Sequence, residues 1–216
     1  MKLVVSGVEK KIKGKTILSE VNLELESGHV YGFIGVNGSG KTMLFRAISG
    51  LMDISGGEVV WNGKRLHKDM KVLPNMGIII ENAELYPELT GLENLKLLAK
   101  LNNKITEDEI RKSIKRVGLD PDDKRIFKKY SLGMKQRIII AQAIMEKPEI
   151  LLLDEPTNAL DEEAVAIIRK IILEEKQRGA LVLIASHNKE DIRLLADEVY
   201  YVKQGKVKKW EKENEA

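Results

Sequence analysis

The stretch VYGFIGVNGSGKT, residues 30–42, decides the fold class of this chain. Its first part is apolar and predicts a buried strand, and the loop that follows carries Gly35, Gly40, Lys41 and Thr42 at phosphate-loop spacing. The residues after the loop predict a helix that ends at Gly50. Glycines let backbone N–H groups curl around phosphate oxygens, and a helix N-terminus adds partial positive charge. The segment therefore predicts a nucleotide site, in which Lys41 reaches the β- and γ-phosphates and Thr42 offers a hydroxyl to Mg²⁺. The alternative is a glycine-rich turn with a chance Lys-Thr, and the strand and helix around the loop disfavour it.

Composition sets the limits for the rest of the chain. The 216 residues are 43% hydrophobic and 32% charged, with a net charge of +3, which is ordinary for a globular protein and too balanced to predict nucleic-acid binding. The absence of cysteine excludes disulfides and thiol metal sites. The N-terminal residues lack the apolar core of a signal peptide, and no run approaches the ~20 apolar residues of a membrane span. We expect a cytoplasmic protein that reaches a membrane only through a partner.

Apolar runs alternate with helical patterns along the chain, which predicts an α/β fold with a mostly parallel sheet. Asn62-Gly63 predicts a hairpin, and Gly205 marks the turn of another, so part of the sheet structure should be antiparallel. Between these regions, residues 81–130 read as a helical insert. Leucines at 92, 95, 98 and 101 form a stripe, and Thr106 with Glu109 predicts a capping box. We expect one domain, with a core of residues 1–80 and 131–216 and a helical subdomain over about 81–130.

Two acids and a histidine follow predicted buried strands. Asp154 and Glu155 end the run ILLLDEP, and His187 follows ALVLIAS. Ligands gather at the carboxyl ends of parallel strands, so Asp154 should lie near Mg²⁺ and Glu155 beside the γ-phosphate, where it can polarise the attacking water. The alternative for Asp154 and Glu155 is that they only keep the end of the strand solvated. A single histidine at such a position is an ordinary loop residue as often as a functional one. The phosphate loop strengthens the functional interpretation of all three.

A second candidate phosphate site is the signature segment YSLGMKQR, Tyr130–Arg137. Ser131 reads as the N-cap of a long helix, with Gly133 in its first turn, and the N–H groups there form an anion site. A capped helix with no ligand is the alternative.

The order of these motifs resembles the ATP-binding subunits of ABC transporters, and the resemblance covers nearly the whole chain. It implies a P-loop NTPase (RecA-like) core that binds ATP and Mg²⁺, with Gly35, Asn37, Gly38, Ser39, Gly40, Lys41 and Thr42 around the triphosphate. It assigns the magnesium ion to Thr42 and Asp154, and catalysis to Glu155 as base and His187 as γ-phosphate sensor. In that family the signature segment contacts ATP held by a second subunit, so Ser131 and Gly133 would act in trans. The loop Asn158–Asp161 would cross the dimer interface, and the insert would touch integral membrane subunits.

The chain departs from the family pattern at three positions. Leu132 replaces the first of two signature glycines, which preserves the backbone N–H groups if its φ stays negative. Glu81 stands where the family has a glutamine, and its carboxylate is predicted to meet Mg²⁺. Ile12 stands where an aromatic ring usually stacks on adenine, which predicts weak discrimination between ATP and GTP. The residues of the signature segment, and those of ENAELYPELTGLENL before it, most resemble the sequences of bacterial exporters of drugs and antimicrobial peptides.

The sequence thus favours an ATP-hydrolysing subunit that dimerises around two ATPs and powers transport, by resemblance export, through a separate membrane subunit. Two alternatives stay open. One is a soluble ABC-type ATPase acting on DNA or ribosomes, although the chain has a short insert and a single cassette. The other is a nucleotide-dependent regulator that hydrolyses little, which the retention of Glu155 and His187 disfavours.

Overall fold

A computed structural model describes residues 1–80 and 84–210. In chain order its elements are β1 (Lys2–Ile12), β2 (Lys15–Glu26), β3 (Val30–Ile34), α1 (Lys41–Ser49), β4 (Gly56–Trp61), β5 (Lys64–Arg65), β6 (Met76–Ile79), α2 (Gly91–Asn102), α3 (Glu107–Arg116), a 3₁₀ helix (Phe127–Lys129), α4 (Leu132–Ile144), β7 (Ile150–Asp154), α5 (Glu162–Gln177), β8 (Leu181–Ala185), α6 (Lys189–Leu195), β9 (Glu198–Lys203) and β10 (Lys206–Lys209). None of these helices combines the length and the apolar character that crossing a membrane requires.

The larger sheet has six strands in the order β10-β9-β3-β8-β7-β6. Its neighbours pair in parallel except for the antiparallel β9–β10 hairpin. The strand that precedes the phosphate loop, β3, lies between β8 and β9 near the middle of the sheet. The strands ending in Ile34, Asp154 and Ala185 are all parallel, so their carboxyl ends meet at one edge. The α/β prediction with a mostly parallel sheet is confirmed.

Strand β8 and all of β7 before its last residue, Asp154, are apolar because both faces of this sheet are covered. Alternate residues of β7 enter different cores: Leu151 and Leu153 pack with the helices, and Ile150 and Leu152 pack with the second sheet and α1. On the helical face, α4 lies directly against β6, since a Cβ added at Gly77 would come within 2.0 Å of the Ala143 carbonyl oxygen. This close packing fixes the helix that begins with the signature segment.

The smaller sheet is antiparallel, with strand order β2-β1-β4-β5. Its β4–β5 turn is the predicted Asn62-Gly63 hairpin, and both residues have the positive φ that a tight hairpin turn requires, 49° and 79°. The long strands β1 and β2 were not individually predicted. Their alternation is obscured by register shifts along the β1–β2 ladder.

Between β6 and α4 the described residues contain α2, α3 and the 3₁₀ helix. The predicted Thr106–Glu109 capping box is present, and a second one, not predicted, joins Thr90 and Glu93 at the start of α2. The leucine stripe of α2 is only partly correct, because Leu95 is buried whereas Leu101 is exposed. The division of the chain into a core and a helical subdomain stays a prediction.

Candidate functional site

The phosphate loop joins β3 to α1 and has little freedom to change shape. Gly38 and Gly40 have φ of 76° and 114°, which L side chains rarely adopt. Gly35 has no room for a side chain, because an added Cβ would lie 2.3 Å from the Val202 carbonyl oxygen. The N-cap of α1 is Gly40, which supplies no side-chain hydrogen bond, so the first N–H groups of the helix face the loop. These features build an anion cradle.

Lys41 and Ser39 place polar groups in this cradle. The Lys41 Nζ donates to the carbonyl oxygens of Gly35 at 2.7 Å and Val36 at 3.4 Å, so the ammonium group is held beside the loop. The Ser39 hydroxyl is buried and has no hydrogen-bond partner among the described residues. A buried polar atom of this kind is stabilised by a ligand oxygen. The residues present therefore fit a nucleoside triphosphate.

A carboxylate and a hydroxyl meet at the metal end of the loop. The Thr42 Oγ1 donates to Asp154 Oδ2 at 2.5 Å, and Asp154 is the last residue of β7. Magnesium prefers hard oxygen ligands such as these, so the pair fits the ion that the sequence implies. Glu81, the third predicted metal ligand, lies outside the described residues.

Glu155 and His187 come together at the ends of β7 and β8. The Glu155 carboxylate accepts hydrogen bonds from the His187 backbone N–H at 3.0 Å and from the Ser186 hydroxyl at 3.2 Å, and the His187 Nδ1 lies 2.9 Å from its Oε2. Glu155 has a φ of 52°, so a non-glycine residue occupies the left-handed region at the position predicted to be catalytic. The two candidate catalytic side chains are thus in direct contact.

These groups share one cleft of about 890 Å³. The cleft is lined by residues 15–17, residues 37–43, Ile79, Gln136, Asp154, Glu155, Asn158, Gln204 and Gly205. The phosphate loop and the two acids therefore lie around a common space, as the strand order requires. Among the described residues of the candidate site, five lie outside this lining: Ile12, Gly35, Ser131, Gly133 and His187.

Ile12 lies near the cleft but not in its lining. It pairs with Lys15 across the two-residue turn at the tip of the β1–β2 hairpin and is 40% exposed. On the returning strand, Ile17 supplies an apolar side chain to the lining. Ile17 is therefore a second candidate for the contact with the base, and the contact of Ile12 stays a prediction.

The signature segment begins α4 as predicted. The Ser131 hydroxyl accepts the Met134 N–H at 3.2 Å, which makes Ser131 the N-cap. Leu132 is the first residue of the helix, does not have a positive φ, and leaves 73% of its surface exposed. An added Cβ at Gly133 would lie 3.1 Å from the Ala159 carbonyl oxygen, so this turn of α4 sits against the loop that follows Glu155. The Ser131–Leu132 end of the helix faces outward.

Sequence reasoning missed a network around a buried carboxylate that connects the segments following Glu155 and His187. Thr157 donates to Asp191 at 2.5 Å, and Arg169 forms a 2.6 Å ion pair with the same buried carboxylate. Thr157 lies two residues after Glu155, and Asp191 lies four residues after His187. Only the Asn188 N-cap pattern could have indicated a structured loop there.

The Gly205 turn was predicted as a hairpin, but not as part of the site. Its N–H donates to the Ser39 carbonyl oxygen at 2.9 Å, and its own carbonyl oxygen accepts the Ser19 N–H at 3.0 Å. The C-terminal hairpin therefore holds the phosphate loop against β2.

The fold and this site define a P-loop NTPase. A family model described as ABC transporter matches residues 18–158. The chain belongs to the ABC transporter family, as an ATP-binding subunit that hydrolyses ATP, and the predictions of this family, fold and enzyme class are confirmed.

Relatives and solved structures agree with this assignment. The ABC transporter ATP-binding protein YybJ of Bacillus subtilis is 48% identical over 96% of this chain and 95% of its own. The lantibiotic transport ATP-binding protein SrtF of Streptococcus pyogenes is 35% identical over 95% of this chain and 88% of its own. A solved ATP-binding subunit of an ABC transporter superposes with a TM-score of 0.87 at 26% identity, covering 99% of this chain and 91% of that one. A dimeric post-hydrolysis cassette bound to ADP and Pi superposes with a TM-score of 0.86 at 23% identity, covering 97% of this chain and 98% of that one, and shows the fold.

Proposed function

We propose that two copies of this chain, or this chain and a close relative, sandwich two ATP molecules head to tail and drive transport through a separate integral membrane subunit. One observation carries the proposal. Ser131 and Gly133 begin a 13-residue helix outside the cleft that holds this chain's own phosphate loop. The first N–H groups of this helix suit an anion, and a second subunit's ATP supplies one.

Each ATP site in this dimer is composite, because it is built from residues of both subunits. The phosphate loop of one subunit binds the triphosphate, and Lys41 turns from the Gly35 carbonyl oxygen towards the phosphates. Thr42 and Asp154 would hold Mg²⁺, which when bound offsets negative charge on the phosphate oxygens. Ser131 and Gly133 come from the other subunit.

Glu155 would orient and deprotonate the attacking water. Its carboxylate already lines the cleft, and His187 fixes it through two contacts, the backbone N–H and the ring. Attack on the γ-phosphate breaks its bond to the β-phosphate oxygen, and Glu155 takes the proton that the water loses. Loss of the γ-phosphate removes the charge that attracts the partner's helix N-terminus, so the dimer relaxes.

We further propose that the transported substrate is a peptide antibiotic and that the subunit sits at the inner face of the membrane through its partner. Supporting this are the names of two relatives: the lantibiotic transport protein SrtF, and the bacitracin transport protein BcrA of Enterococcus faecalis, 36% identical over 92% of this chain and 65% of its own. If a multi-span membrane protein is encoded beside this chain, co-expression of the two should raise resistance to such a peptide, and Lys41→Ala should abolish the gain.

The dimer is tested by two variants and their mixture. Glu155→Gln should accumulate as an ATP-bound dimer in size-exclusion chromatography with light scattering, and Ser131→Arg in the same background should remain monomeric because it fills the trans phosphate site. Mixing Lys41→Ala with Ser131→Arg should restore ATPase activity, because the mixed dimer has one composite site with an intact phosphate loop and an intact signature segment. A Glu155→Gln protein that stays monomeric at saturating ATP, together with normal hydrolysis by Ser131→Arg, would refute the proposal.

A further inference from the structure

Gln136 connects the signature helix to the backbone that carries Glu155. It lies on α4 one turn after Gly133, and its Nε2 donates to the Pro156 carbonyl oxygen at 3.1 Å. The same nitrogen lies 3.5 Å from the Glu155 carbonyl oxygen, a longer and weaker contact. A helix side chain therefore bonds to the main chain immediately after β7.

This part of the loop requires support from outside itself. Glu155 and Ala159 have φ of 52° and 62°, and non-glycine residues persist in that region only where the surroundings hold them. Within the loop, the Asn158 N–H donates to the Glu155 carbonyl oxygen at 3.2 Å and the Leu160 N–H to the Thr157 carbonyl oxygen at 3.3 Å. Outside it, the Glu155 N–H donates to Ala185 on β8 and the Thr157 hydroxyl to Asp191 on α6. Gln136 adds a bond from a different element.

The same helix touches the loop again one turn earlier. Gly133 approaches the Ala159 carbonyl oxygen so closely that an added Cβ would lie 3.1 Å from it. The two ends of the loop, near Glu155 and near Ala159, thus rest on successive turns of α4. A movement of the helix start displaces both contacts together, because the helix is rigid over such a short length.

We propose that Gln136 is a positioning residue for ATP hydrolysis, which acts by holding the Glu155–Pro156 backbone on α4. This inference rests on the proposed function, in which the start of α4 engages the second subunit's nucleotide. Gln136 then couples the two composite sites. When Ser131 of this chain contacts the nucleotide of the second subunit, it holds α4 in place, and α4 holds the backbone of this chain's own Glu155. Hydrolysis at one site is therefore faster when the other is occupied, so the single composite site of the mixed dimer should turn over more slowly than a site of the wild-type dimer.

The first experiment separates positioning from binding and from assembly. Gln136→Met keeps the side-chain length and removes the donor, and it should lower kcat about 3- to 10-fold, the effect of one lost hydrogen bond. The ATP Kd should stay within about twofold, and in the Glu155→Gln background the ATP-driven dimer should form as before. Gln136→Lys, which retains a donor, should keep more of kcat. The matched control is Gln142→Met, since Gln142 lies on α4 and makes no hydrogen bond to residues 155–160 among the described residues.

The second experiment places the effect in one subunit. In the mixture of Lys41→Ala and Ser131→Arg proteins, ATP hydrolysis uses the Glu155 of the Ser131→Arg subunit. Gln136→Met should therefore reduce the ATPase activity when it is placed in that subunit. The same change in the Lys41→Ala subunit should leave the ATPase activity unchanged. The reverse pattern, an unchanged kcat, or loss of the ATP-driven dimer would each overturn the proposal. If the unmodified mixture stays inactive while Gln136→Met still lowers kcat in the homodimer with binding intact, the positioning role stands and the trans arrangement of the proposed function fails.

Discussion

Replacing Gly205 with alanine should damage both stability and nucleotide binding, because this residue joins the C-terminal hairpin to the phosphate loop. Its φ is 75°, and an added Cβ would lie 2.0 Å from the Ile17 carbonyl oxygen and 3.0 Å from the Leu18 Cα. These are backbone atoms, so no side-chain rotation relieves the overlap. The turn must move by about 1 Å, which weakens the bonds of Gly205 to Ser39 and Ser19.

The magnitude follows from a matched glycine. Gly63 has a φ of 79° in the β4–β5 turn, and an added Cβ there meets nothing within 4 Å. Gly63→Ala should therefore cost only the strain of a left-handed alanine, about 1–2 kcal/mol. Gly205→Ala carries the same strain plus two weakened hydrogen bonds at about 0.5–1.5 kcal/mol each, for a total of about 2–5 kcal/mol.

Urea unfolding measures the free energy of unfolding, and titration with a fluorescent ATP analogue measures binding. Gly205→Ala should raise the ATP Kd about 3- to 10-fold. The reason is that the Ser39 carbonyl oxygen, which lies in the phosphate loop, then has a weaker hydrogen bond from the Gly205 N–H. Gly63→Ala should leave the Kd unchanged. Equal destabilisation and equal Kd for the two variants would refute the reasoning.

Three further changes have defined outcomes. Thr42→Ala should raise the Mg²⁺ concentration for half-maximal hydrolysis at least several-fold while Thr42→Ser restores it, and equal metal dependence of the two variants would exclude the hydroxyl as a ligand. Ile17→Ala should weaken ATP and GTP binding together by about 1–2 kcal/mol, whereas Ile12→Ala should change either Kd less than twofold in a competition titration. Burial alone would raise the pKa of the Asp197 carboxyl, but its ion pair with Lys176 and a backbone N–H outweigh burial and hold the pKa below its ordinary value. Asp197→Asn should therefore lower the free energy of unfolding by about 1–3 kcal/mol at pH 7. The difference from wild type should shrink as pH falls below about 4, where the carboxyl of the unfolded chain becomes protonated, until the native carboxyl, whose pKa is lower, is protonated as well. A difference as large at pH 3 as at pH 7 would contradict the ion-pair account.

Much of the nucleotide site was predictable because its parts are local. The phosphate loop, the acids at the end of β7 and the Ser131 N-cap are each encoded in fewer than about ten consecutive residues, where backbone geometry and residue type determine one another. The parallel sheet then brings the ends of β3, β7 and β8 to one edge, so a strand pattern was enough to place Asp154 and Glu155 beside the loop.

The missed parts depend on contacts between distant segments. Gln136 looks like any polar residue on an amphipathic helix, and only the packing of α4 places it against Pro156. Asp191 and Arg169 read as solvated charges until the fold buries their pair. Ile17 was missed for a related reason, since only the pairing of β1 with β2 brings the returning strand to the cleft.

The position of β3 in the sheet also sets the order in which the protein can mature during translation. The strand that carries the phosphate loop has β8 and β9 as its two neighbours, and both are made about 150 residues after it. A nascent chain that has emerged only through α5 holds the phosphate-loop sequence on an unpaired strand. We therefore expect nucleotide binding to be acquired late, once β8, β9 and the Gly205 turn have left the ribosome, and a chain truncated before β8 should not compete with complete subunits for ATP.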